Sequence, residues 1–441
     1  MKLHVKDSTV IRPAQETPKH CLPTSDLDML MPPVHVAVVY FYRRPNGSSN
    51  FFEAGLLKED LTKVLVPLYP VAGRLEKNEN GRIMINCNAK GVLFLEAEAS
   101  YVIDDFTDCG PSSKLWQFVP TVELTNDISS YPLLLIQVTY FKCGGVCLGL
   151  RLSHTLADGA STFYIINSWA EMTRGLPITI SPSYDRTLLS IGIPPSPTFH
   201  HIEYDPPPSM NSPTQNPGNI STAILKLSLD QINILKEEAN KENESNAKYS
   251  KFEIIAAHIW RCVCKARGLS DDQASKLYIA INGRSKLNPR LPSGYIGNVV
   301  FSTGPLALSG DILSKPLSYT AETVHKALKR IDDEYLKSAL AYVRQCRTVL
   351  NRPAITYNTC PNLCISKLGD MSAYETNFGW GRPLFVTPII ADVDGIIFIL
   401  PSASNDGSLS LAIGLETNHM QLFKNLFYEI FLRNQNVRSK Y

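Results

Sequence analysis

No run in the 441-residue chain approaches 18 uninterrupted apolar residues, so nothing in it reads as a membrane-spanning helix. The opening residues, MKLHVKDSTVIRP, lack the apolar segment of a secretory signal, and a cytoplasmic protein is expected. In that setting the sequons at Asn46, Asn219 and Asn243 carry no weight. Cysteine is sparse for the length: ten residues, scattered from Cys21 to Cys364, without the density of a disulfide framework. Cys360 and Cys364 have no accompanying ligand set, so they read as buried free thiols and no metal is expected. Neither charge sign is in excess, with 43 Lys and Arg against 41 Asp and Glu and no basic cluster, which argues against a nucleic-acid partner. An anionic co-substrate needs only a few local cations and stays open. Several catalytic signatures are missing as well: there is no GxSxG elbow, HExxH helix, GxxxxGK[ST] phosphate loop or GxGxxG fingerprint.

What the chain does contain is an alternation of helix and strand patterns through its whole length. Val34–Tyr42 reads as a strand and Phe52–Val66 as a helix with Leu56, Leu57, Leu61, Val64 and Leu65 on one face. Arg82–Asn86 and Val92–Glu96 read as a pair of short antiparallel strands, and Tyr131–Leu152 as a hairpin. Residues 177–217, rich in Pro and Ser, are long and aperiodic enough to mark a boundary. Beyond them come a strand at Ser221–Leu229, helices at Leu229–Asn240, Phe252–Arg267 and Tyr319–Tyr342, and strands at Lys276–Ile281, Phe385–Ile390, Ile396–Pro401 and Ser410–Leu415. The helix His419–Phe431 closes the chain. A two-domain α/β protein follows, with an N-terminal domain at 1–180, a crossover linker at 181–220 and a C-terminal domain at 221–441.

The most informative stretch is Gly149–Trp169, GLRLSHTLADGASTFYIINSW. Period-two apolar residues stop at Ser153, helical spacing begins after Gly159, and His154 falls between them at the end of a buried strand. Most histidines in a chain with nine are structural. Here the strand end, an Asp four residues on and a Gly beside it favour a base: a neutral imidazole can take a proton from an attacking nucleophile. Asp158 either orients that imidazole or turns away to brace the loop through an Arg; spacing favours neither. With no nucleophilic Ser or Cys in a recognised arrangement, a lone His suits direct attack of one substrate on an activated second one.

His154-Thr155-Leu156-Ala157-Asp158-Gly159 matches an HxxxDG motif, and Asn377-Phe378-Gly379-Trp380-Gly381 closely matches DFGWG; both resemble the plant BAHD acyl-CoA-dependent acyltransferases. Leu65–Leu75, Phe199-His200-His201 and Gly294-Tyr295-Ile296-Gly297-Asn298 are similar to the hydroxycinnamoyltransferase branch of that family. The resemblance implies two similar chloramphenicol-acetyltransferase-like domains with mixed β-sheets and an active-site channel between them. A strand segment near residues 380–400 is then expected to pack with the N-terminal domain. It also implies acyl-CoA as co-substrate, no permanent cofactor, small-molecule substrates, no membrane or nucleic acid, and a monomer. By the same resemblance His154 is the general base and Asp158 and Gly159 support its loop. Gly379 and Trp380 support the second motif, and Arg284 and Ser285 are candidate CoA contacts. The family's DFGWG Asp pairs with the Arg matched here by Arg284, so Asn377 is expected to leave a neutral hydrogen bond weaker by about 1 kcal/mol.

Branch members using shikimate or quinate carry an Arg that holds the acceptor carboxylate; the matching stretch here, Ser366–Ser372, has Asp370 at that place. An Asp repels a carboxylate and attracts an ammonium. Hydroxyl residues of those members on the first strand are replaced by Val36 and Val38. The expected acceptor is therefore a polyamine such as spermidine, with Asp370 or Glu375 on its distal ammonium and Val36, Val38, Tyr40 and His35 as lining. For His35 a packed, backbone-bonded role is the preferred reading and lining the second, and for Asp370 a solvent-facing loop is the alternative. Transfer to a hydroxylated acceptor, and a non-catalytic acyl-CoA-binding protein, remain the competing readings of the whole chain.

Overall fold

The computed structural model describes residues 3–48, 50–107, 113–121, 127–211, 218–241, 247–350, 360–368, 372–390, 393–402 and 406–438. The first half contributes strands β1 (Leu3–Ile11), β2 (Cys21–Pro23), β3 (His35–Tyr42), β4 (Arg74–Lys77), β5 (Ile83–Asn86), β6 (Val92–Ala99), β7 (Leu134–Phe141) and β8 (Val146–Ser153). Its helices are α1 (Ala54–Val64), the single turn α2 (Asp104–Thr107) and α3 (Gly159–Thr173). After a crossover whose described residues include two short 3-10 turns come β9 (Ile220–Leu227), α4 (Leu229–Asn240), α5 (Lys251–Ala266), β10 (Ala274–Asn282), β11 (Val300–Thr303) and β12 (Leu306–Leu308). Then follow α6 (Ser309–Ser314), α7 (Leu317–Lys329), α8 (Asp333–Leu350), β13 (Leu363–Lys367), β14 (Phe385–Ile389), β15 (Ile396–Pro401), β16 (Leu409–Glu416) and α9 (Thr417–Arg438).

Two mixed sheets carry the architecture. The first runs β1-β6-β7-β8-β3-β14, parallel only between β6 and β7. The second runs β11-β10-β13-β15-β16-β9, with β12 also on β10 and parallel pairs at β10/β13 and β13/β15. Strand β14 leaves the second half of the chain to pair antiparallel with β3, Thr387 opposite Val39. One face of the first sheet packs on α1 and α3: Val38, Tyr40, Leu150 and Leu152 meet Leu57, Leu61, Phe163, Ile166 and Trp169. Its other face packs Val39, Phe41 and Cys147 on Phe106 and Phe118. Helix α5, opened by a capping box in which Ser250 and Glu253 satisfy each other's backbone, is buried on the second sheet with Ile255, Ile259 and Val263. No helix of the described residues is long and apolar enough to cross a membrane.

Two local expectations fail. Strand β5 pairs β2 and β4 in a separate three-stranded sheet, and β6 pairs β1 and β7, so residues 82–86 and 92–96 are not one antiparallel pair. The single helix at 319–342 is two, α7 and α8. Asp332 ends the continuity: its Oδ1 accepts the Tyr335 N–H at 2.9 Å and starts a new helix as an N-cap does.

Candidate active site

Residue 154 follows directly on β8, whose last residue Ser153 lies opposite His35 of β3. The His154 N–H donates to the Val34 carbonyl at 2.9 Å, continuing the ladder one step past the strand and fixing where the imidazole departs. The side chain is half-buried, and its Nδ1 is buried without a well-formed hydrogen bond. Burial pulls the imidazole below its usual range, opposed by its own carbonyl, the Asp158 charge, the Asn298 side chain and the Ala157 carbonyl. The ring therefore favours its neutral, proton-accepting form near pH 7.

Asp158 turns away from that ring. It is the N-cap of α3, accepting the Ser161 N–H at 2.9 Å, and forms a bidentate pair with Arg284: Nη1 to Oδ2 at 2.7 Å and Nη2 to Oδ1 at 3.0 Å. The same Arg284 Nη2 donates to Ser161 Oγ and the Gly297 carbonyl, and the Val299 N–H donates to Asp158 Oδ2. Of the two roles spacing left open, the geometry is that of the brace. Gly159 is the first residue of α3.

Asn377 does not reach Arg284, contrary to expectation. Its Oδ1 accepts the N–H groups of Gly379 and Gly381 at 2.9 and 3.0 Å, so it closes its own turn. Both glycines sit at φ near +100°, a conformation that suits residues without a Cβ. Arg284 instead carries the bidentate pair to Asp158. The turn is docked on the first half instead: Phe378 packs edge-on against Trp169 and the Trp380 ring lies tilted against Phe52, while Tyr42 donates to the Thr376 carbonyl at 2.9 Å.

The expected acceptor lining is only partly assembled. Strand alternation puts Val36, Val38 and Tyr40 on the helix-covered face, and there Val38 and Tyr40 are buried in the core. Val36, at the strand end, is 37% exposed and stays open. His35 spends Nε2 on the Pro132 carbonyl at 2.8 Å, the backbone-bonded reading. Glu375 is exposed and ion-paired to Arg382 at 2.7 Å, not held ready for a ligand. Asp370 lies outside the described residues, and Ser285 is exposed on the turn after β10.

Three residues escaped the sequence reading. Asn298 is fully buried and donates Nδ2 to the His154 carbonyl at 2.8 Å. Asp28, equally buried, receives Asn298, and Arg186 pairs with Asp28. Asn298 lies in the Gly294–Asn298 segment that signalled the family; Asp28 carried no signal, since its partner is 270 residues away.

His154, half-buried beside an Asp committed to an Arg from the other half of the chain, lies in a protein that comparison with known proteins defines as an acyltransferase. The transferase family model matches residues 1–430, and the chain belongs to this family, that of the BAHD acyltransferases. It is 49% identical to a shikimate O-hydroxycinnamoyltransferase from Nicotiana tabacum, over 97% of this chain and all of the relative. It is 43% identical to a hydroxycinnamoyl-CoA:5-hydroxyanthranilate N-hydroxycinnamoyltransferase from Avena sativa, again over 97% of this chain and all of the relative. Among solved structures, vinorine synthase superposes with a TM-score of 0.77 at 22% identity, covering 97% of this chain and 98% of that one. The F. graminearum TRI101 complex with ethyl coenzyme A gives 0.76 at 16% identity, covering 92% and 96%. The protein is thus a hydroxycinnamoyl-CoA-dependent acyltransferase with acyl-CoA as co-substrate.

Proposed function

We propose that this acyltransferase moves a hydroxycinnamoyl group from its CoA thioester to an amine, with a polyamine such as spermidine as acceptor and His154 as general base. The neutral amine attacks the thioester carbonyl, and His154 takes the proton it loses. The tetrahedral intermediate collapses with cleavage of the C–S bond, and the protonated imidazole returns its proton to the CoA thiolate. Atoms balance without an enzyme-bound acyl group.

The observation that carries the acceptor class is Asp370, standing where acid-accepting relatives place an Arg. An acid there selects for a distal ammonium and against a carboxylate. Val36, the open residue on the strand beside His154, offers apolar contact to methylenes rather than a donor to a hydroxyl. The second reading, O-acylation of shikimate, is favoured by the 49% identity to the tobacco enzyme; the oat relative shows that N-acylation also occurs at comparable distance. Incubation with coumaroyl-CoA and a panel of spermidine, 5-hydroxyanthranilate, shikimate and quinate, followed by product masses, decides. A coumaroyl amide of spermidine is expected; an ester as the sole product overturns the amine assignment, and no product with any acceptor favours a binding-only protein.

A further inference from the structure

Three separate parts of the chain meet around a cavity of about 440 Å³, a size within the range of small-molecule sites. The first half supplies Thr24, Asp26 and Arg82, the crossover supplies the turn Arg186–Ser190, and α8 supplies Leu340 and Arg344. Neither His154 nor the Asp158–Arg284 pair lines it.

The lining carries three guanidiniums and one carboxylate, Asp26, and that carboxylate is shared. Its Oδ1 lies 3.5 Å from Arg82 Nη2, and its Oδ2 accepts Arg344 Nε at 3.1 Å. The third cation, Arg186, is buried and pairs with Asp28 at 3.3 Å, so Asp28 balances that charge. Among these groups two acids face three cations, and one positive charge is in surplus. Arg82 is also left incomplete by the protein: Nη2 donates to the Thr24 carbonyl, while Nε is buried without a well-formed bond. A guanidinium presents its donors as a rigid planar fork, and the complement of two such forks is a carboxylate or phosphate. Arg344 Nη2 donates to Ser190 Oγ at 3.2 Å, which adds a hydroxyl beside the forks. Pro23, Leu189 and Leu340 add apolar lining for a carbon body.

We propose that this cavity is a second binding site, separate from the transfer site, for a small organic acid. Its carboxylate or phosphate head sits between Arg82 and Arg344 in competition with Asp26, and its apolar body lies against Leu189 and Leu340. Carboxylate and phosphate share the chemistry that two guanidiniums recognise, and the test tells them apart. An occupant joins the first half of the chain to α8 across the crossover.

The test is calorimetric titration of the full chain with benzoate, phenyl phosphate and the uncharged benzamide, at saturating CoA so that the co-substrate's own anion site is filled. At least one anion should saturate a single site with Kd on the order of 0.1–1 mM, the tighter of the two identifying the head, and benzamide should bind at least about tenfold more weakly. R82Q and R344Q should each weaken the anion about tenfold, and H154A should leave its Kd unchanged. D26N keeps the shape and removes the competing charge, so it should bind the anion about threefold tighter or better; a purely structural ion pair gives no such gain. Arg344, with its side chain 46% exposed, keeps the test usable should R82Q not fold. No saturable binding of either anion, equal binding of benzamide, or binding untouched by R82Q and R344Q overturns the proposal. So does a D26N variant that binds no tighter. Binding seen only without CoA, or lost in H154A, returns the acid to the transfer site and overturns the claim of a second one. None of these readouts uses turnover, so the result stands apart from the choice of acceptor.

Discussion

Arg284 grips Asp158 through both guanidinium Nη atoms, 126 residues along the chain, and the side chains are only 13% and 1% exposed. The pair joins the turn after β10 to the N-terminus of α3, so it sets how the two halves meet beside His154.

Removing one member leaves the other charge buried without compensation. R284A should cost about 3–5 kcal/mol of stability, and D158N less because the cap to Ser161 can persist. Urea midpoints of the two variants against the unsubstituted protein measure the difference. Equal, small shifts would show that the pair is not what braces the loop.

Asn377 gives the opposite expectation. Because its Oδ1 caps the Gly379 and Gly381 N–H groups, N377D keeps both acceptor bonds and should leave turnover within about twofold, whereas N377A should cost about 1–2 kcal/mol. A large gain in stability from N377D would instead indicate that a new carboxylate had found a cation. Thermal melting and initial rates on the two variants separate these results.

How much of this was legible beforehand depended on sequence distance. The strand, turn and helix carrying His154 are contiguous, and the change of period at Ser153 and Gly159 marks them. The α7/α8 break was visible only as Asp332 in an otherwise helical charge pattern. The sorting of β5 and β6 into different sheets was hidden, because their partners lie as far off as Leu3 and Leu135. Asp28 and Asn298 meet across 270 residues, so no local spacing could pair them. Val38 and Tyr40 were misread for a related reason: alternation gives the face of a strand but not how far the covering helices extend along it.

The pH dependence follows from burial. His154 is held below its ordinary range, so kcat should be full at neutral pH and decline only as pH drops below about 6.5. An acid limb centred above that value would contradict the environment described. Stability has its own acid limb: burial lowers His258, bonded to the Phe427 carbonyl, to about 4. Between the unfolded value near 6.5 and about 4 the unfolded chain binds the extra proton, so stability falls as pH falls, by about 3 kcal/mol from this group. Urea midpoints from pH 7 to 4 should decline, and H258Q should flatten the decline.

The most direct measurement is a single-turnover comparison of the H154A variant with the unsubstituted protein, at saturating coumaroyl-CoA and acceptor. Acyl-CoA binding, followed by calorimetry, should change by less than about threefold, and the transfer rate should fall by about 10² or more. A transfer rate that survives the substitution would contradict the assignment of the proton-accepting group on which the whole account stands.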